Sequence, residues 1–164
     1  GQWVLVGCWC HARALRVARP RQGVPTRVRA PTPRDGVAGP YLLGRAIRTL
    51  EKGRLVIFAG GTSNPYLSTE TAATLRGLEI HAGIVAKATR VDGVYDKDPL
   101  TNSGAVRFAE ISYFDVLSKN LGVMDTSAVA MCRDSRLPIV VFDLNVRGNI
   151  MRMTMGEPIG TLIH

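Results

Sequence analysis

No acidic residue precedes Asp35 and no serine precedes Ser63, although the first 34 residues hold seven arginines. Cysteine is scarce. Cys8, Cys10 and Cys132 are too few for a paired disulfide framework, and the expected compartment is a reducing one. Long apolar runs are absent: Leu137 to Phe142 is far short of the roughly 20 residues a membrane span needs. Nothing matches G-x-x-x-x-G-K-[ST], no G-x-G-x-x-G follows a strand, and H-E-x-x-H does not occur. His11, His81 and His164 are scattered, so a hydrolase or metalloenzyme has no constellation to stand on. Cys8-Trp9-Cys10-His11 lacks the spacing, and the second Cys/His pair, of a zinc site.

What is present is the composition of a folded chain, 46% hydrophobic and 21% charged over 164 residues, which predicts one core and at most one appendage. The net charge of +8 is unevenly placed. Residues 1–54 carry 11 Lys+Arg against 2 Asp+Glu, whereas residues 55–164 are nearly balanced. Residues 1–33 show no sustained period of 3.6 or 2 and are expected to be disordered or misread. An arginine arm could neutralise phosphates, but no aromatic or glycine pattern of an RNA-binding module accompanies it, and nucleic acid is not the expected partner. A transit peptide is Arg-rich but also Ser-rich, unlike this segment. Its Arg, Ala, Gly, Pro, Trp and Cys are what GC-rich coding sequence yields out of frame, which is the preferred reading.

Residues 34–164 are more orderly. Leu42, Leu43, Ala46, Ile47 and Leu50 give a helical apolar face over Tyr41 to Leu50, and Glu51-Lys52-Gly53 stops it. Arg54 to Ala59 reads as a strand covered on both faces, and so does Ile84 to Ala88. Ser68 or Thr69 can cap a helix running to about Ile80. Helices are expected around Ser112–Ser118, Thr126–Asp134 and Gly148–Met155, with strands at Pro138–Asp143 and Ile159–Ile163. Alternating strands and helices predict an α/β fold with a mainly parallel sheet.

Ligands of such sheets gather beyond the carboxyl ends of strands, where two loops qualify. Gly60 to Glu70 combines glycines, neutral hydroxyl and amide donors, and a helix start with free N–H groups, which suits an anion such as phosphate. An ordinary glycine-rich turn with an N-cap explains it equally well. In Lys87 to Pro99, Tyr95 offers a flat face for a base and Asp98 an acceptor, although a polar surface loop accounts for the same residues.

Val56-Ile57-Phe58-Ala59 followed by Gly61 to Ala73, then Lys87-Ala88-Thr89, Val91-Asp92-Gly93-Val94-Tyr95 and Asp98-Pro99, resembles bacterial-type UMP kinases of the amino acid kinase superfamily. Val123-Met124-Asp125, Pro138 to Phe142, Gly156-Glu157 and Gly160-Thr161-Leu162-Ile163 extend the likeness, which runs from about Gln22 to His164. The resemblance implies a three-layer amino acid kinase-like α/β fold with a mainly parallel central sheet, its N-terminal strands missing here. It implies transfer of the ATP γ-phosphoryl to UMP, with Mg²⁺, in pyrimidine nucleotide synthesis. Thr62, Ser63, Asn64, Pro65, Tyr66, Leu67, Ser68 and Thr69 would hold UMP; Thr89, Tyr95 and Asp98 would hold ATP; Asp125 would take a catalytic place. A hexamer is the family's assembly, and the cytoplasm the expected location, with a plastid as the alternative.

The family's Lys-x-Ser-Gly-Glu turn and Gly-Gly-Gly-Asn loop, which meet the ATP phosphates and the transferring group, do not occur in these residues. The chain is therefore expected to be a C-terminal portion that keeps nucleotide contacts and lacks much of the transition-state charge stabilisation. A non-catalytic nucleotide-binding module is the alternative. Ser63, Leu67 and Glu70 depart from the family's usual Gly, aromatic and Asp. Low stability is expected of a sheet without its first strands.

Overall fold

The computed structural model describes residues 4–21 and 23–164, and the chain divides into two compact units, Gly1–Ile80 and His81–His164. In the first unit the elements run β1 (Val4–Gly7), α1 (Trp9–Arg21), β2 (Thr26–Ala30), β3 (Gly39–Pro40), α2 (Leu43–Glu51), β4 (Leu55–Ala59) and α3 (Thr69–Glu79). The strands pair in parallel in the order β1-β4-β2-β3. All five residues of β4 are buried, as its unbroken apolar run predicts. Successive side chains on a strand point to opposite faces, and β4 serves two cores in this way. Leu55, Ile57 and Ala59 pack with Val28 and Ala30 of β2 and Ala12 of α1; Val56 and Phe58 pack with Ala46 and Leu50 of α2. Helices thus cover both faces of this sheet.

Residues 4–30, expected to lack regular structure, form β1, α1 and β2. The helix rests on a narrow stripe, Trp9, Ala12 and Leu15, set among exposed arginines. Fully buried Ala12 lets it approach the sheet closely, and Arg16 donates to the Gly36 and Val37 carbonyls. Residues 1–3 and Gln22, part of the segment read as disordered or misread, lie outside the described residues.

The second unit holds β5 (Val85–Thr89), β6 (Glu110–Ile111), α4 (Tyr113–Ser118), α5 (Thr126–Asp134), β7 (Ile139–Asp143), α6 (Asn149–Thr154) and β8 (Thr161–Ile163). Its sheet has the order β5-β7-β8-β6, with β5 and β7 parallel, β6 and β8 parallel, and β7 and β8 antiparallel. Strand pairing is therefore divided between two four-stranded sheets, one wholly parallel and one mixed. β5, expected to be covered on both faces, is an edge strand in which Ala86 and Ala88 are exposed. β7 is the covered strand here, with Ile139, Val140, Val141 and Phe142 all buried. Gly160 has φ +68°, and a β-carbon there would lie 1.9 Å from the Val141 carbonyl oxygen, so the entry into β8 demands glycine.

Candidate functional site

In the first unit the segment after β4 turns sharply through three left-handed residues, Gly60 (φ 76°), Gly61 (φ 61°) and Ser63 (φ 64°). Its own side chains then hold it. Thr62 Oγ1 accepts from the Asn64 N–H at 3.1 Å, Asn64 Oδ1 from the Tyr66 N–H at 3.0 Å, and the Ser63 and Thr32 hydroxyls lie 3.1 Å apart. Ser68 caps α3 by accepting from the Thr71 N–H at 3.1 Å. The segment closes around a cavity of about 420 Å³ at the start of α3.

Thr62, Ser63, Asn64, Pro65, Leu67 and Thr69 line this cavity. Ser68 is spent on the helix cap, and Tyr66, 94% exposed, is outside the lining. The opposite wall is Gly7, Cys8 and Trp9, none of which sequence reasoning placed here. Cys8 is exposed with its Sγ 3.1 Å from His11 Nδ1, and the His11 backbone N–H lowers its thiol pKa below the ordinary value. The cavity combines neutral hydroxyls, the positive end of an 11-residue helix and an indole, a setting suited to an anionic group joined to a flat ring.

In the second unit a cavity of about 460 Å³ lies beside β5 and β7. Thr89, Tyr95 and Asp98 all line it, so the three residues assigned to ATP from sequence meet in one place. The Tyr95 hydroxyl donates to Asp92 Oδ1 at 2.6 Å, a bond that raises the phenol pKa. Asp98 Oδ1 accepts from the Leu100 N–H at 2.9 Å, and its carbonyl accepts from the Asn102 N–H at 3.0 Å. Residues 119–123 supply a wall that sequence reasoning did not assign, and Lys87 reaches it by donating from Nζ to the Val123 carbonyl. Asp125, the residue preceding α5, is exposed and lies outside this lining. Among the described residues no three His, Cys, Asp or Glu side chains converge as a metal site, and no helix is long and apolar enough to cross a membrane.

The sequence model of the amino acid kinase family matches residues 8–143. The fold is similar to the UMP kinase of Bacillus anthracis, with 34% identity and a TM-score of 0.90 over 94% of this chain and 64% of that one. It is likewise similar to the UMP kinase of Ureaplasma parvum, with 28% identity and a TM-score of 0.87 over 94% of this chain and 66% of that one. The uridylate kinase of Archaeoglobus fulgidus, 20% identical with a TM-score of 0.62 over the whole of both chains, shares the fold. The chain spans just under two thirds of the two bacterial kinases. With the family model covering most of its length, this chain belongs to the amino acid kinase family.

Proposed function

We propose that this chain carries the nucleotide-holding part of a UMP kinase, a phosphotransferase that moves the ATP γ-phosphoryl to UMP and releases UDP. The observation that carries the reading is the loop of residues 60–69: Thr62, Ser63, Asn64 and Thr69 present neutral donors to one cavity at the positive end of α3. A monoanionic or dianionic phosphate gains most from donors that are fixed before it arrives, and the Thr62 and Asn64 turns fix them. The second cavity suits the adenine nucleotide, with Tyr95 as a stacking face, Thr89 as a hydroxyl partner and Asp98 as an acceptor.

Phosphoryl transfer calls for positioning and charge stabilisation rather than a covalent nucleophile, so the scattered histidines are no obstacle. Mg²⁺ fits this scheme as the ATP complex: it commonly keeps waters and binds substrate phosphates with one or two carboxylates. Asp96 and Asp98 are the carboxylates of the second cavity, although each already accepts a backbone N–H bond. When bound, the ion neutralises charge on the transferring group. Asp125 at the start of α5 is proposed as an organiser of the reacting ends, and self-association as in the family belongs to the same reading.

Calorimetry with UMP, CMP and an amino acid acceptor tests the assignment: heat with UMP supports it, and heat only with the amino acid overturns it. A second reading, a nucleotide-binding module without turnover, draws on Asp125 lying outside the lining of both cavities. UDP formation by the chain separates the two.

A further inference from the structure

Thr161, the first residue of β8, is fully buried, yet its hydroxyl is fully used. Oγ1 accepts from the Val94 N–H at 2.8 Å and donates to the Phe108 carbonyl. The Val94 carbonyl in turn accepts from the Phe108 N–H at 2.9 Å. Beyond this point the Asp96 N–H donates to the Val106 carbonyl at 3.1 Å, and Tyr95 bridges Arg107 in antiparallel fashion. Residues 94–96 and 106–108 thus form a short ribbon, and Thr161 pins its base to the sheet. Arg107 adds an outer clasp, donating to the Asp92 carbonyl at 3.0 Å and the Gly160 carbonyl at 3.3 Å. Space around the pin is tight: a β-carbon on Gly93 would lie 2.5 Å from Thr161 Oγ1.

Tyr95 lies within that ribbon and Asp98 two residues beyond its first strand, and both line the 460 Å³ cavity. We propose that Thr161 is a positioning residue for the adenine-nucleotide cavity, its buried hydroxyl fixing the height at which residues 93–98 present Tyr95 and Asp98 to the ligand. The inference rests on the nucleotide reading above and goes beyond it, because Thr161 itself is not among the residues lining the cavity. Its leverage comes from burial. A hydroxyl removed here leaves the buried Val94 N–H without its partner and takes a bond from the part-buried Phe108 carbonyl, which favours a shift of the ribbon that satisfies them.

The test is titration of the full chain with ATP and, separately, with UMP, for wild type, Thr161→Val and Thr161→Ser, together with amide exchange at Val94. Valine keeps the shape and removes the hydroxyl; serine keeps the hydroxyl. Thr161→Val should weaken ATP binding about tenfold, the size of one lost hydrogen bond, with Val94 exchange accelerated and UMP affinity within about twofold of wild type. Thr161→Ser should stay near wild type on all three. ATP binding unchanged in Thr161→Val, or ATP and UMP weakened alike, overturns the inference. Should Thr161→Val fail to fold, Arg107→Gln, at a partly exposed side chain, must show the same ATP-only loss, and its absence overturns the inference equally. Wild type that takes up no ATP at all refutes the nucleotide reading instead.

Discussion

Trp9 lies so close against Gly60 that a β-carbon on the glycine would sit 2.9 Å from the indole Nε1. This contact joins the start of α1 to the loop that follows β4, and it fixes one wall of the first cavity. Gly60 also has φ +76°, a left-handed conformation costing an L-residue roughly 1–2 kcal/mol. Gly60→Ala should therefore destabilise by more than about 1 kcal/mol and lower UMP affinity, as read by urea unfolding and calorimetry. Full stability in that variant would mean that Trp9 moves aside without consequence.

Ser63 is the third left-handed residue of the same turn, and it has a side chain. Its exposed hydroxyl contact with Thr32 offers little against the backbone strain. Ser63→Gly is expected to raise stability by about 0.5–1 kcal/mol, seen as a higher urea midpoint at unchanged slope. A lower midpoint would show that the Thr32 contact outweighs the strain.

Thr69 opens α3 and faces the cavity, while its neighbour Ser68 is occupied with the helix cap. If its hydroxyl bonds the UMP phosphate, Thr69→Ala loses about 1.5–3 kcal/mol of UMP binding energy, the range for hydrogen bonds to charged groups. Calorimetry reads this directly, and unchanged affinity rejects the role.

Tyr41 gives a pH signature in the first unit. Its ring meets Phe58 edge-on at 5.2 Å and carries the Arg76 guanidinium 3.8 Å above it, and its hydroxyl donates to Glu79. Burial first, and then the bond to Glu79, push its pKa up to about 12. The unfolded phenol titrates near 10, so the folded state holds the proton more tightly. This contribution is complete below about pH 10 and is lost as pH rises from there to about 12. Unfolding measured from pH 8 to 12 should show a steeper alkaline fall for wild type than for Tyr41→Phe. Parallel curves would contradict the assignment.

Elements whose signal is local were legible in the sequence. The β-branched run of β4 admits little else, and Ser68 announces α3 by the chemistry of its cap. α1 was not legible because its buried stripe is three residues wide in spacing, relies on small Ala12, and is diluted by arginines that outweigh it in any window. β3 and β6 are two residues each, defined by pairing with β2 and β8 rather than by pattern. The same division holds for the sites. Thr62 to Thr69 and Thr89 to Asp98 are contiguous and carry their motif, whereas Trp9 and residues 119–123 reach the cavities only through tertiary packing.

The most direct test of the account is isothermal calorimetry of the folded chain with UMP. Saturable heat at one site per chain is expected, reduced in Thr69→Ala and preserved in Tyr95→Ala. No heat with UMP, alongside saturable heat with a different phosphoryl acceptor, would contradict it.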